Sequence, residues 1–195
     1  MRQPVTVLTV PGWSNSGPDQ WQTLWERDRP NTRRVEQDDW ERPDRSAWVA
    51  RLDAVIRLQT WPVVLAGHSL GAVAAAVWAT THAPGAVAGL FLVAPADTEA
   101  SGAIEPVRDF GPMPAGLLPL PSVLVASDDD PHLSLVRAVD LAAAWGSCLH
   151  VVPGAGHLNT ASGHGAWPDG MQMLEAFCAS LGAAAGGRSL PPEAA

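Results

Sequence analysis

The sequence predicts an α/β domain, a mostly parallel sheet of about six strands with helices on both faces. Three observations predict it. Short strand-like runs alternate with helical segments along the chain. The run Val63-Val64-Leu65-Ala66 is apolar throughout, as a strand buried on both faces must be. The 195 residues, 47% hydrophobic and 16% charged, suffice for one full core and hardly for two. The expected organisation is a single domain over 1–182 and a flexible Gly/Ala/Pro-rich tail over 183–195.

The elements follow in order. Residues 5–10 are β-rich and form the first strand. A helix over 20–28 places Trp21, Leu24 and Trp25 on one face, with Pro18 near its start. Residues 32–35 form a short edge strand. Ser46 caps a helix running to about Thr60, whose buried stripe is Trp48, Leu52, Val55 and Ile56. Strand 63–66 leads into a helix of small residues over 70–78. Further strands span 87–93, 121–127 and 149–152, and a helix between the last two ends near Trp145. The closing helix, 168–181, aligns Met171, Leu174, Cys178 and Leu181. Residues 97–119 break the rhythm with glycine, proline and charge. They form a long loop over the C-terminal edge of the sheet, either a plain connection or a flap over a ligand.

Composition excludes several functions. A net charge of −8 argues against nucleic-acid partners and against anionic membrane surfaces. No apolar run approaches a membrane span of ~18 residues. The N-terminal apolar stretch reads as a strand rather than a signal peptide, which predicts a cytoplasmic protein. All twelve cationic side chains are arginine and tyrosine is absent, so neither lysine nor tyrosine chemistry is available. Cys148 and Cys178 read as reduced and buried. No His or Cys pair has zinc-site spacing, and neither metal nor cofactor is expected.

Gly67-His68-Ser69-Leu70-Gly71 carries the chemistry. It matches G-x-S-x-G between a buried strand and a helix, the context that lifts a serine Oγ above the sheet edge on a sharp turn. A serine hydroxyl needs a base within reach and an acid to orient that base. In this class they follow in the order Ser, Asp/Glu, His, each after a strand. Ser127-Asp128-Asp129-Asp130-Pro131 and Gly154-Ala155-Gly156-His157 supply that order.

Of six histidines, His157 follows the final strand in a glycine-rich turn and is the expected base. His68 is fixed in the elbow and expected to point elsewhere, His82 ends a helix, and His150 lies within a strand. His132 and His164 sit in loops near the site. Spacing does not choose between Asp128, Asp129 and Asp130, and Asp97 is an outside candidate. Two backbone amides should form an oxyanion hole: Leu70, after the nucleophile, and Trp13, with Ser14 as alternate, after the first strand. Trp21, Trp25, Trp48 and Trp78 fall at core spacing, whereas Trp13 and Trp167 fall on loops near the site.

At these residues the chain resembles the small α/β-hydrolases related to retinoblastoma-binding protein nine, the YdeN-type serine hydrolases. The resemblance rests on Pro11-Gly12, Trp21-Gln22, Trp25-Glu26 and the Ser69 motif, together with Ser127-Asp128-Asp129-Asp130-Pro131 and Gly156-His157-Leu158-Asn159. It implies a compact α/β-hydrolase fold without a lid domain, and it implies Asp130, the aspartate before proline, as the acid. No L-x-C-x-E segment is present, so a retinoblastoma partner is not carried over, and protein partners stay open. The expected function is a serine hydrolase acting on small carboxylic esters or related acyl substrates. Acyl transfer, thioester, lactone or amide cleavage at the same triad is the alternative, as is a non-catalytic interaction module on the same fold.

Overall fold

The computed structural model describes residues 5–186. Six strands, β1 (Thr6–Val10), β2 (Thr32–Arg34), β3 (Val63–His68), β4 (Val87–Val93), β5 (Ser122–Ser127) and β6 (Cys148–Val152), form one sheet. Their order is β2-β1-β3-β4-β5-β6 and every pairing is parallel. The chain starts near one edge, steps to β2, then crosses β1 and winds to the other edge. The order therefore reverses beside β1 and β3, whose C-terminal ends face a topological switch point.

Alternate residues of each central strand serve two cores. Leu8, Leu65 and Leu92 pack with α2 (Arg45–Arg57), α3 (Leu70–Thr81) and α5 (Leu135–Trp145). Val7, Val64, Phe91 and Val93 pack on the opposite face with α1 (Trp21–Asp28) and α6 (Pro168–Gly186). Burial on both faces explains why β3 reads as an unbroken apolar run. The α3 helix is buried nearly all round, because its alanines let it lie close to the sheet and to α2.

Several local expectations change. Asp44, not Ser46, caps α2: its side chain accepts from the Ala47 amide at 2.7 Å. Ser46 stands one residue inside the helix, and the aspartate at the true cap takes the free N–H. Cys148 is exposed rather than buried, since β6 is an edge strand with little covering it, and Cys178 is half-buried. Both thiols are free. The α6 helix continues to Gly186, and the rest of the expected tail, 187–195, lies outside the described residues. The 97–119 segment is divided. Phe110, Met113 and Leu118 are buried in the first core, while a single helical turn, α4 (Glu105–Arg108), and the residues before it border the cavity described below.

The α3 helix and β1 approach each other closely at Gly71. A Cβ on Gly71 would stand 1.9 Å from the Val10 carbonyl oxygen and 2.4 Å from that of Pro11. Both are backbone atoms, so the helix would have to move away from the strand. Gly71→Ala is expected to cost about 3 kcal/mol, read as a lowered urea midpoint with an unchanged m-value.

Candidate active site

Ser69 follows the β3 strand and caps α3 with φ 53° and ψ −121°, a region that non-glycine residues occupy only under strain. The Ser69 amide donates to the Val93 carbonyl at 3.0 Å, and its carbonyl accepts from Ala72 at 3.0 Å. The turn is thereby pinned to β4 and to α3. Gly12 lies directly above it: a Cβ there would stand 2.9 Å from Ser69 Cβ and 3.3 Å from the Leu70 amide nitrogen.

His157 lies in the turn after β6, and its Nδ1 stands 3.0 and 2.9 Å from the two Asp130 oxygens. Both residues are buried. A carboxylate can only accept, so Nδ1 carries the proton of this bond. Ser69, Asp130 and His157 all border one cavity of about 620 Å3 at the C-terminal edge of the sheet. Among the described residues, Ser69 Oγ and His157 Nε2 have no hydrogen-bond partner.

The other aspartates have different duties. Asp128 accepts from the Gly154 amide at 2.8 Å. Asp129 accepts from the Ser127 hydroxyl at 2.6 Å and from the Gly156 amide at 2.7 Å. These bonds, the Ser127 hydroxyl first, hold the Asp129 carboxyl below its ordinary range. Both aspartates therefore shape the turn that carries His157. Asp97 pairs with Arg137 at 3.5 Å.

Of the amides proposed for an oxyanion hole, that of Ser14 is committed to the Trp40 carbonyl at 3.1 Å. Those of Trp13 and Leu70 have no acceptor among the described residues. The Trp13 indole is exposed at the cavity rim and donates to the Glu41 carbonyl at 3.0 Å. Trp167 is instead buried, stacked on Trp25 at 5.9 Å, and does not border the cavity.

His68, as expected, is engaged elsewhere than with the serine hydroxyl: its Nε2 lies 2.9 Å from the His157 carbonyl, and the two rings are 4.9 Å apart. Because a carbonyl accepts, His68 Nε2 is the donor. Burial first, and then the charge of nearby His157, pushes the His68 imidazole down to about 3. His132 stands edge-on to His157 at 4.6 Å, and burial followed by that neighbour lowers it as well. His164 Nδ1 donates to the Ser162 carbonyl at 2.9 Å, and its ring packs on Trp167. His82 caps α3 and stacks on Trp78, and His150 is exposed on β6.

Sequence reading missed the scaffold behind these groups. Trp21 Nε1 donates to the Leu158 carbonyl at 3.0 Å, and Gln20 Oε1 accepts from the Thr160 amide at 2.8 Å. Leu158 itself has a positive φ of 50°, so its turn depends on these outside bonds. Gln22 accepts from Ser16 at 2.6 Å and donates to the Ala66 carbonyl at 3.1 Å, tying the loop after β1 to β3. Arg34 reaches Asn15 at 3.0 Å and the Ser16 carbonyl at 3.1 Å while paired with Glu26 at 2.9 Å. The available signal was a glutamine on the buried face of α1, where only a satisfied polar group belongs.

The parallel sheet and the strained turn under Ser69 define the class, an α/β hydrolase. The chain belongs to the serine hydrolase family, which it matches over residues 7–176. It is similar to a YdeN-like hydrolase from Pectobacterium atrosepticum, with 37% identity, coverage of 91% of this chain and 92% of that one, and a TM-score of 0.82. The ydeN gene product of B. subtilis is 18% identical over 90% of this chain and 100% of its own, with a TM-score of 0.77, and so shares the fold. Est1E from Butyrivibrio proteoclasticus shares the fold at 15% identity and a TM-score of 0.64, with 91% and 89% coverage. The YdeN name supports that part of the expected resemblance. No curated protein matches the sequence significantly. Among the described residues, no helix is long and apolar enough to cross a membrane.

The depressed His68 imidazole makes stability depend on pH. The unfolded chain takes up this proton near 6.5, while the native state refuses it until about 3. The native state thus binds fewer protons in that window, and stability falls as pH drops below 6.5. The expected slope from this group is ~1.4 kcal/mol per pH unit. Urea unfolding at about pH 5 and about pH 7 should show wild type losing roughly 2 kcal/mol, and His68→Gln losing distinctly less.

Proposed function

We propose that the protein hydrolyses small carboxylic esters or related acyl compounds through an acyl-enzyme on Ser69. The observation that carries this reading is the two-oxygen seat of the Asp130 carboxylate on His157 Nδ1, beside a cavity that Ser69 also borders. His157 Nε2 takes the Ser69 proton as Oγ adds to the substrate carbonyl. The carbonyl oxygen becomes an oxyanion held by the Trp13 and Leu70 amides. The tetrahedral species collapses, the acyl C–O bond breaks, and the alcohol leaves with the proton held by His157. Water then adds to the acyl-enzyme, gives its proton to His157, and the acid departs as Ser69 regains its proton.

Asp130 orients the ring and offsets its transient positive charge. Binding the carboxylate through both oxygens also prevents rotation of the imidazole, so Nε2 keeps facing the cavity. Strain at Ser69 serves the same end, because it exposes Oγ at the head of α3, where the helix dipole favours the developing negative charge. The free Trp13 and Leu70 amides are suited to the oxyanion because neither must first abandon a protein acceptor.

The test is turnover of a short-chain aryl ester by single variants. Ser69→Ala and His157→Ala should each lower kcat by about 10^4-fold or more, and Asp130→Asn by about 10^3-fold or more, with little change in KM. Asp128→Asn, which leaves the His157 pair intact, should stay within roughly tenfold of wild type. Turnover by Ser69→Ala at the wild-type rate would overturn the reading.

A further inference from the structure

The cavity is lined by two chemically different sets of residues. One is apolar: Ala96, Ala100, Ala103, Ile104, Val107 and Leu133 border it, most of them from the segment after β4. The other carries three carboxamides, Asn15, Gln20 and Asn159. Each is oriented by a backbone amide that must donate to its oxygen. Ser16 N–H reaches Asn15 Oδ1 at 2.7 Å, Thr160 N–H reaches Gln20 Oε1 at 2.8 Å, and Ser162 N–H reaches Asn159 Oδ1 at 3.0 Å. The oxygens are thereby identified and engaged, so the NH2 groups are the free ends, and none has an acceptor among the described residues.

Among the described residues no arginine borders this cavity, and the chain has no lysine. Asp97 and Asp130 add negative charge, and Arg137 is held by Asp97 and Glu99. A carboxylate or phosphate entering here would lose its water without meeting a free cation.

We propose that the cavity selects an uncharged ester with one apolar end and one end rich in hydroxyl or carbonyl oxygens. The apolar residues take the alkyl end, and the three NH2 groups donate to the oxygens of the other. This specificity rests on the serine hydrolase reading above.

Four esters test it with purified full-length protein: glyceryl monobutyrate, butyl glycerate, butyl butyrate, and the monobutyrate of glyceric acid as the anionic analogue. The first two present the same pair of ends in opposite orientations about the ester. At least one should exceed butyl butyrate in kcat/KM by about tenfold, and the anionic ester by about a hundredfold. Asn15→Asp and Gln20→Glu keep the oxygen that the backbone amide needs and remove the NH2. Each should lower the ratio of the preferred mixed ester to butyl butyrate by roughly three- to tenfold. Equal or better turnover of butyl butyrate, preference for the anionic ester, or an unchanged ratio in both variants would overturn the proposal. So would turnover of none of the four by protein whose Ser69 still reacts with a fluorophosphonate. Absence of both turnover and Ser69 labelling would instead overturn the hydrolase reading and the proposal with it.

Discussion

Around Ser69, three backbone segments are pressed together more closely than side chains allow. The head of α3 meets the end of β1 at Gly71, and the loop after β1 meets the Ser69 turn at Gly12. Neither contact tolerates a Cβ without movement of backbone. This approach sets the loop after β1 against the Leu70 amide, whose nitrogen would lie 3.3 Å from a Cβ on Gly12. It also explains why β1 and β3 must be neighbours, paired in register from Thr6 opposite Val63 to Val10 opposite Gly67. The rest of the sheet can be read as support for that junction.

The α1 helix holds the remaining pieces to it. From one short helix and its cap, Gln20 and Trp21 fix the turn beyond His157, Gln22 fixes the loop after β1, and Glu26 seats Arg34 against that same loop. Its indoles also fill the second core, where Trp21 and Trp25 lie 4.4 Å apart. The turn that carries His157 contains positive φ at Gly154, Gly156 and Leu158 and would not keep its shape unaided. Hydrogen bonds donated by Trp21 and His68, and accepted by the carboxylates of Asp128 and Asp129, replace what regular structure would supply. The site is thus rigid because its loops are bonded to elements from both ends of the chain.

Much of this was legible in the sequence, and the division has physical reasons. Strand runs such as 63–66 and 87–93 declare themselves because burial on both faces demands continuous apolar character. The Ser69 turn declares itself because its glycines have no substitutes. The order of serine, aspartate and histidine follows from the fold's winding, yet three consecutive aspartates present identical chemistry to a reader of sequence. Only the turn after β5 decides that Asp130 faces His157 while Asp128 and Asp129 face the amides of Gly154 and Gly156. His68 is adjacent to Ser69 in sequence, yet its ring bonds the carbonyl of His157, a long-range partner that no local pattern announces. The Asp44 cap and the exposure of Cys148 depend on local turn geometry and on what covers an edge strand, neither of which has a periodic signal.

The central claim is that Ser69 is an activated nucleophile whose base is His157. Labelling the purified protein with a fluorophosphonate, read by intact mass and peptide mapping, tests it most directly. The account predicts one adduct, on Ser69, absent from Ser69→Ala and nearly absent from His157→Ala. A folded wild-type protein that takes no adduct, or takes it elsewhere than Ser69, would contradict the account.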